Sequence, residues 1–363
     1  MKKELADAIR RLKRLLPRFR KVQVAVLGDL MLDRYLWGTA TRLSPEAAVP
    51  VVDFVSQSDC LGGAANVAAN LSALGARAQA FGVVGGTTAA QKKIADDEAG
   101  AALRACLREA HIADRGVLPD SHRITTVKTR IIARHQQIVR IDHERHDALS
   151  ADTEEKLFRL LVASLKTLDA LILSDYDKGL ITDAFAERVL HAAHQFEVPV
   201  FVKPKKSRLF PYRGARVIVC NTTEAGFFLT RPVSDDKSVE AACRALQEHF
   251  GCAVVITRGE KGMSLFDENS PHPLHIPATS FEITYARVGQ PGVAPGSTGR
   301  QVFDVTGAGD TVLSVLSLAV AAGATLPDAA LLANTAAGVV VGKLGTAIVS
   351  PAELAAALDE IHF

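Results

Sequence analysis

The chain contains 363 residues, 48% of them apolar, which is enough core material for one large globular domain or two smaller ones. Its 42 Lys and Arg residues almost balance its 40 Asp and Glu residues, so the net charge of +2 gives no electrostatic reason to expect nucleic acid or a membrane as the principal partner. We therefore expect a small-molecule partner.

The N-terminal segment, residues 1–20, places Lys and Arg among Leu and Ile at helical spacing, which predicts an amphipathic helix rather than a signal peptide. No stretch of the sequence approaches the roughly 18 consecutive apolar residues of a membrane span. The five cysteines are scattered and form no C-x-x-C pair, so neither a disulfide framework nor a zinc site is indicated. These features predict a cytoplasmic protein.

Strand and helix patterns alternate from Val22 onward. A strand at 22–27 precedes a helix at 64–74, a strand at 78–84 and a helix at about 97–110, and further strands are predicted at 170–173, 198–202, 217–219 and 253–256. These strands are largely apolar on both faces, as strands covered by helices on both sides must be. The pattern predicts an α/β protein whose parallel sheet lies between two helical layers.

Two segments, residues 35–60 and 122–143, break this alternation, and the second mixes Ile and Val with Arg, Lys and Thr. They are interpreted as strands of a small additional sheet, a lid that closes over a ligand at the carboxyl ends of the parallel strands. Such a lid would expose apolar strand faces, so we also expect a homodimer in which two lids pair. Residues 86–95 and 279–299 are interpreted as inserted loops.

Polar residues near the first two predicted strand–helix junctions indicate a polyol pocket. Asp33 follows the first strand, and the run Gly62-Gly63-Ala64-Ala65-Asn66 precedes a helix of small residues. A fixed carboxylate accepts hydrogen bonds from sugar hydroxyls, while Asn66 offers both a donor and an acceptor. Each motif taken alone has an alternative interpretation: Asp33 could simply cap a turn, and the glycine pair could form an ordinary turn before the helix.

Three further motifs follow later strands. Lys178 ends an acidic turn and either contacts an anionic substrate or is simply solvated. Asn221 and Glu224, in Asn-x-x-Glu, have the spacing of Mg²⁺-organising ligands and also of a helix capping box, and the two interpretations are compatible. The turn that contains Thr257, Gly259 and Gly262 either presents amides to nucleotide phosphates or forms only a hairpin.

The run Phe-Asp-Val-Thr-Gly-Ala-Gly-Asp-Thr, residues 303–311, stands where a strand pattern gives way to a long apolar helix. Helix N-terminal amides are unpaired donors with partial positive charge, so Gly307, Ala308 and Gly309 are candidates to hold a phosphate in a phosphoryl-transfer reaction. Asp310 is the candidate catalytic base beside it.

The order of these motifs resembles that of the ribokinase-like carbohydrate kinases over nearly the whole chain. A narrower likeness, to the bacterial heptose 7-phosphate kinases of that family, is carried by residues 28–35, 42–50, 62–70, 136–140 and 336–346. The resemblance implies a single ribokinase-like domain over residues 1–363, a three-layer α/β/α fold with a β-sheet lid. It also implies that ATP with Mg²⁺ phosphorylates the anomeric hydroxyl of D-glycero-β-D-manno-heptose 7-phosphate, for ADP-heptose and lipopolysaccharide core synthesis.

The resemblance assigns roles to individual residues. It implies that Asp310 is the base, that Gly307, Ala308 and Gly309 form the anion hole, and that Asp33, Gly62, Gly63 and Asn66 bind the sugar. It implies that Asn221 and Glu224 organise Mg²⁺ through water, and that Thr257, Gly259, Gly262 and Asn334 bind the nucleotide. The candidate cations for the substrate phosphate are Arg34, Arg42, Arg130, Arg134 and Lys178.

Bifunctional relatives carry a following nucleotidyltransferase domain. No His-x-Gly-His type signature of such a domain occurs before Phe363, so the kinase step alone is expected of this chain.

The sequence departs from the family pattern at three places. Gly82, Gly85, Asp97 and Gly100 recover a family motif only if residues 86–95 are looped out, and the second insertion directly precedes the catalytic motif. Lys203 stands where the family usually has an aspartate, and it could attract ATP phosphates, displace Mg²⁺ or pair with Asp310. A kinase for another sugar phosphate, or a catalytically impaired sugar- and nucleotide-binding homologue, are the alternative functions.

Overall fold

A central sheet with helices on both faces forms the main body of the protein. The computed structural model describes residues 2–88, 94–134, 136–205, 212–267, 272–279, 306–343 and 347–361. The strands, in chain order, are β1 (Gln23–Gly28), β2 (Leu30–Leu43), β3 (Pro50–Gly63), β4 (Arg77–Thr88), β5 (Ile94–Asp96), β6 (Ala113–Asp120), β7 (Thr126–Ala133), β8 (Gln136–His143), β9 (Ala170–Ser174), β10 (Val200–Lys203), β11 (Val217–Asn221), β12 (Ala253–Thr257), β13 (Met263–Phe266) and β14 (Leu274–Ile276).

The α-helices complete the layers on both sides of the sheet. In chain order they are α1 (Lys2–Leu15), α2 (Ala64–Ala73), α3 (Glu98–Glu109), α4 (Ala151–Leu165), α5 (Asp183–Gln195), α6 (Thr222–Phe228), α7 (Asp236–Phe250), α8 (Ala308–Ala321), α9 (Leu326–Val340) and α10 (Pro351–Asp359). None of the helices in the described ranges is both long enough and apolar enough to cross a lipid bilayer.

The central strands lie in the order β14-β13-β12-β11-β10-β9-β1-β4, and both β6 and β5 pair with β4. Pairing is parallel from β12 through to β6, whereas β13, β14 and β5 are antiparallel. Because parallel strands end at the same edge of a sheet, β1, β9, β10, β11 and β12 deliver their last residues to one place. The candidate site lies at this edge.

Strand β1 explains why the sheet is covered on both faces. Its side chains alternate between two cores: Val24 and Val26 pack with α1, α2, α3, α8, α9 and α10, whereas Ala25 and Leu27 pack with α4, α5, α6 and α7. Both faces are apolar, so each needs a helical layer to exclude water. The prediction of a three-layer α/β/α fold with a mainly parallel sheet is confirmed.

A separate sheet in the order β3-β2-β7-β8 forms the lid. Its strands cover most of the segments predicted at 35–60 and 122–143, but β2 begins earlier, at Leu30, and β3 continues to Gly63. The inner end of β2, with Leu30, Met31 and Leu32, is buried, so it lacks the polar alternation that marks the outer part of the lid. Only one residue, Asp29, separates β2 from the end of β1, so the lid extends directly from the sheet edge.

The segment predicted as an inserted loop at 86–95 is in part a hairpin, because β4 extends to Thr88 and β5 returns antiparallel to it. Gly85 and Asp97 meet at its base, where the Asp97 amide donates to the Gly85 carbonyl at 2.8 Å. The family motif is therefore restored in space with the hairpin projecting from it. In the second predicted insertion, 279–299, only Thr279 lies within the described residues.

Asp97 holds this junction through its carboxylate. Oδ1 accepts from the Gly100 amide at 2.7 Å, capping α3, and from the Thr125 hydroxyl at 2.6 Å, while Oδ2 accepts from the Thr125 amide at 2.9 Å. A methyl group at Gly85 would lie 1.9 Å from Oδ2, which requires glycine there. Asp97 thus joins three elements: its carboxylate links α3 to the residue before β7, and its amide bonds to β4.

We expect Asp97→Ala to lower the free energy of unfolding by about 2 kcal/mol or more, since it removes a helix cap and the bonds to Thr125 together. Urea unfolding measures this loss. The matched control is Asp235→Ala, which removes the cap that accepts from the Ser238 amide on α7 and should cost about 1 kcal/mol. Equal losses in the two variants would contradict the joining role of Asp97.

Candidate active site

A cavity of about 710 Å³ opens where the sheet edge, the lid and the start of α8 meet. Its walls come from the ends of β10, β11 and β12, the turn after β9, the first turn of α8 and the inner parts of the lid strands. The predicted site residues that line it are Asp33, Gly63, Arg130, Lys178, Asn221, Glu224, Thr257, Gly259, Gly307, Ala308, Gly309 and Asp310.

Asp310 is a buried acidic group in the cavity wall that accepts hydrogen bonds from three side chains. It lies in the first turn of α8 and is 4% exposed. Its Oδ2 accepts from Asn66 Nδ2 at 3.0 Å, while Oδ1 accepts from the Tyr176 hydroxyl at 2.5 Å and from Lys203 Nζ at 2.6 Å. Donors from three elements therefore fix the direction in which the carboxylate points.

The glycines before Asp310 shape the start of α8. Gly307 has φ of 82°, in the left-handed region that glycine adopts without strain, and its carbonyl accepts from the Asp310 amide at 3.0 Å. The amides of Ala308 and Gly309 belong to the first turn, where no helical carbonyl precedes them. A methyl group at Gly309 would lie 3.3 Å from Lys203 Nζ, so glycine lets the ammonium approach the helix start.

Helices α2 and α8 are linked side by side by polar contacts that bring Asn66 to Asp310. Beside this contact, the Thr311 hydroxyl on α8 donates to Asn70 Oδ1 on α2 at 3.0 Å, and the Ser314 hydroxyl donates to the Val67 carbonyl at 3.0 Å. These groups are buried, and each gains the partner that a buried polar atom requires. The position of Asn66 is thus set by packing rather than by a loop.

The lid carries Asp33, Gly62 and Gly63, three of the residues predicted to bind the sugar. Asp33 on β2 accepts from Arg130 Nη1 on β7 at 2.7 Å, and both side chains are largely buried. Burial raises the pKa of Asp33 above its ordinary value, although the bond from Arg130 opposes the rise. A methyl group at Gly62 would lie 2.8 Å from the Asp33 carboxylate, and Gly63, with φ of 55°, begins α2 beside the cavity.

A chain of alternating charges lines the outer part of the cavity. Lys128 Nζ lies 3.1 Å from an Asp142 oxygen and 3.2 Å from a Glu144 oxygen, and Lys178 Nζ lies 2.7 Å from the other Glu144 oxygen. Arg140 also pairs with Asp142, at 2.9 Å. Burial raises the pKa of Glu144, but the bonds from the two lysines outweigh it and hold the pKa below its ordinary value. The chain of charges has three cations against two carboxylates.

Asn221 and Glu224 form a capping box at the start of α6. Asn221 Oδ1 accepts from the Glu224 amide at 2.8 Å, and Glu224 Oε2 accepts from the Asn221 amide at 2.9 Å. The box uses one of the two Glu224 carboxylate oxygens, and both residues line the cavity. Among the described residues no group of three His, Cys, Asp or Glu side chains could hold a metal ion. Oxygen ligands of this kind fit Mg²⁺ bound through water and substrate phosphates.

The groups that contact Asp310 have shifted pKa values. Burial lowers the pKa of Lys203, but the adjacent Asp310 carboxylate outweighs burial, and the pKa lies well above its ordinary value. Burial, reinforced by Asp310, raises the pKa of Tyr176 well above its ordinary value. At neutral pH Lys203 is therefore a cation and Tyr176 a neutral donor.

A second buried carboxylate positions the turn after β9. Asp29 Oδ2 accepts from the amides of Tyr176 at 2.8 Å and Lys178 at 3.2 Å. Burial, with the neighbouring Asp175 carboxylate, raises the pKa of Asp29 to about 6. Asp175 is itself held by the Tyr212 hydroxyl at 2.8 Å. The turn that carries Tyr176 and Lys178 into the cavity is thus anchored from beneath.

Several predicted site residues do not line this cavity. Arg34 makes a two-pronged ion pair with Asp59 on the neighbouring strand at 2.8 and 2.9 Å, Arg42 is exposed on the lid, and Arg134 lies at the end of β7 with φ of 50°. Asn334 donates to the Pro277 carbonyl at 2.8 Å, and Gly262 has φ of 81° in the turn between β12 and β13. Gly62 and Asn66 lie behind the wall, in contact with Asp33 and Asp310.

The predicted site residues did not include Tyr176, Lys128 or Arg140, which line the cavity. Of the three outcomes predicted for Lys203, the structure shows the pair with Asp310. Lys128 had a usable signal, since it lies two residues from Arg130 in a predicted strand and therefore on the same face. Tyr176 had a weaker one, as it follows the end of a predicted parallel strand. Arg140 lies in a predicted lid segment, but the sequence does not give the strand register needed to predict that it lines the cavity.

Comparison with known proteins agrees with the fold. The model of the pfkB family of carbohydrate kinases matches residues 21–353. A bifunctional protein HldE from Geobacter sulfurreducens is 43% identical over 342 residues, which cover 94% of this chain and 64% of that protein. The protein of the same name from Geotalea uraniireducens is 40% identical over 349 residues, 96% of this chain and 65% of its own. The chain thus spans less than two thirds of the length of these relatives.

Solved structures with the same fold include Arabidopsis thaliana ribokinase complexed with ribose and ATP, with a TM-score of 0.68, 17% identity, and coverage of 93% of this chain and 98% of that chain. Phosphofructokinase-2 from Escherichia coli in complex with potassium gives a TM-score of 0.71 at 16% identity, covering 94% and 99%. The chain belongs to the pfkB family of carbohydrate kinases, and it has the ribokinase-like fold that the sequence predicted.

Proposed function

We propose that this sugar kinase uses ATP to phosphorylate the anomeric hydroxyl of D-glycero-β-D-manno-heptose 7-phosphate, giving the 1,7-bisphosphate. The observation that supports the proposal is the hydrogen bond from Asn66 to Asp310, which links a residue predicted to bind the sugar to the predicted catalytic base at the cavity wall. The name HldE of the relatives supports a heptose phosphate as the sugar. The product would serve ADP-heptose and lipopolysaccharide core synthesis, and the cytoplasmic location remains a prediction.

Asp310 would act as the base. The sugar O–H bond breaks as its proton passes to Asp310, the oxygen forms a bond to the γ-phosphorus, and the bond from that phosphorus to the bridging oxygen breaks, releasing ADP. Asp33 would accept from a sugar hydroxyl and so orient the ring. The amides of Ala308 and Gly309 would receive the charge that develops on the transferred group.

The nucleotide would lie along the ends of β11 and β12. Thr257 and Gly259 line that side of the cavity, and Asn221 and Glu224 would hold Mg²⁺ through water. When bound, Mg²⁺ would neutralise part of the negative charge of the phosphates.

The chain of alternating charges, contributed by the lid, by Glu144 after β8 and by the turn after β9, is the proposed site for the substrate phosphate. Lys128, Lys178 and Arg140 line the cavity, and their three positive charges exceed the two negative charges of Asp142 and Glu144. Arg130, also a predicted phosphate ligand, is instead close to the sugar through its pair with Asp33. Of the five cations predicted from sequence, Lys178 and Arg130 line the cavity, and only Lys178 belongs to the group proposed to bind the phosphate.

The ion pair between Lys203 and Asp310 favours a second candidate, a sugar- and nucleotide-binding homologue with impaired turnover. In that case Lys203 would occupy the base and slow proton removal. A kinase for another sugar phosphate is the remaining alternative, and the substrate panel below separates these functions.

We expect ADP release that depends on ATP, Mg²⁺ and heptose 7-phosphate. For unphosphorylated heptose, kcat/KM should be lower by about 100-fold or more, because Lys128, Lys178 and Arg140 would have no substrate phosphate to bind. A coupled ADP assay with heptose 7-phosphate, heptose and hexose 6-phosphates measures this, and phosphorus NMR identifies the phosphorylated position. Turnover of free sugars equal to that of heptose 7-phosphate would contradict the proposal. If a hexose 6-phosphate were turned over in preference to heptose 7-phosphate, it would take the place of heptose 7-phosphate as the proposed substrate.

Lys178→Met sharpens the test of the phosphate site. It should lower kcat/KM for heptose 7-phosphate by about 10- to 100-fold and leave the value for free heptose almost unchanged. Lys205→Met, at another cavity lysine, is the matched control and should preserve the ratio between the two sugars. Equal losses with both sugars in Lys178→Met would mean that Lys178 does not bind the phosphate.

We also propose a homodimer that pairs two lids. The lid strands carry exposed apolar side chains, which a second lid would cover; they are Trp37, Leu43, Phe54, Val55, Ile138, Val139 and Ile141. Sedimentation velocity at micromolar concentration should give a dimer, and Phe54→Ser should shift it toward monomer. A wild-type protein that sediments only as a monomer would contradict this assembly.

A further inference from the structure

Lys203 ends β10 and lines the cavity. Its Nζ lies 2.6 Å from Asp310 Oδ1, 3.4 Å from the Tyr176 hydroxyl, and 3.3 Å from the point where a side chain on Gly309 would begin. The ammonium is therefore between the proposed base and the amides at the start of α8. A phosphoryl group that moves from ATP to a sugar held by Asp310 would pass this point.

The charge on Lys203 is retained in this position. Its pKa is raised by the Asp310 carboxylate, with a further contribution from Glu224 in the capping box. The Lys203 ammonium thus interacts electrostatically with both Asp310, the proposed base, and Glu224, the proposed metal-organising carboxylate. Its side chain is 19% exposed, against 6% for Asp310, so it retains access to the cavity.

We propose that Lys203 is a catalytic residue that exchanges partners during the reaction: its ammonium leaves Asp310 when ATP binds and contacts the transferring phosphoryl group. The inference rests on the proposed kinase chemistry. A terminal phosphate offers three oxygens and more negative charge than one carboxylate, and a positioned lysine stabilises the charge of this group.

The exchange also prepares the base. When Lys203 leaves, Asp310 Oδ1 keeps one donor, the Tyr176 hydroxyl, and Oδ2 keeps Asn66, so the carboxylate stays oriented. Oδ1 then has room to accept the sugar proton. Lys203 keeps its own proton throughout, and the only bonds exchanged are the O–H and phosphorus–oxygen bonds of the transfer.

The test compares Lys203→Met, which removes the charge, with Lys203→Arg, which keeps it. Lys203→Met should lower kcat by about 10²- to 10³-fold with the KM for the sugar phosphate changed little, and Lys203→Arg should recover part of the rate. A thermal unfolding measurement checks that each variant is folded. Retention of kcat within about threefold in Lys203→Met, or a higher kcat in Lys203→Asp, would overturn the proposal.

A binding measurement tests the contact without turnover. Calorimetry with ADP, Mg²⁺, aluminium fluoride and the sugar phosphate, a mimic of the transferring group, should show at least about 100-fold tighter ADP binding than without fluoride in the wild type. Lys203→Met should lose most of this fluoride-dependent gain in ADP affinity, while its affinity for ADP alone is kept. The contact between Lys203 and the transferring group would be contradicted if the variant showed the full gain, or if the wild type showed none. If only a sugar phosphate other than heptose 7-phosphate supports turnover and the fluoride-dependent gain in ADP affinity, the heptose assignment is wrong but the proposed role of Lys203 is upheld.

Discussion

The buried carboxylate of Asp310 is the group on which the arrangement of the site depends. A carboxylate that is 4% exposed needs hydrogen-bond donors, and here they come from α2, the turn after β9 and the end of β10. Each donor is placed by a different part of the fold: Asn66 by the packing of α2 on α8, Tyr176 by Asp29 beneath its turn, and Lys203 by its strand. The chemistry of one side chain is therefore tied to the order of the parallel strands.

The same sheet edge explains why sugar and nucleotide would meet there. Strand β1 ends at this edge and the chain continues at once into β2, which carries Asp33 into the cavity, while β11 and β12 bring Asn221 and Thr257 to the opposite side. Asp310 and Lys203 line the same cavity as the residues proposed to bind the sugar and the nucleotide. In this protein the charges at the site are mostly paired with one another, so substrates of high negative charge have to compete with internal partners, as proposed for Lys203 and for the lid cations.

Much of the fold could be predicted because its strands are apolar on both faces and its helices have regular spacing. The start of α8 and Asp33 could be predicted because glycines and carboxylates after strands form recognisable motifs. Cross-strand register could not be predicted: Arg34 faces Asp59 in β3 and is paired there, although its sequence position suggested a phosphate ligand. The pairing of Lys203 with Asp310 joins residues 107 apart in sequence, and no local pattern specifies it.

The most direct test of the account is the rate of phosphoryl transfer by Asp310→Asn in a single turnover, with ATP and heptose 7-phosphate bound beforehand. The amide has nearly the shape of the carboxylate but cannot take the sugar proton. If Asp310 is the base, the rate of transfer should be about 10²- to 10⁴-fold lower, with the affinity for both substrates largely kept. Transfer at the wild-type rate would contradict the assignment of Asp310 as the base and, with it, the role given to the contacts around it.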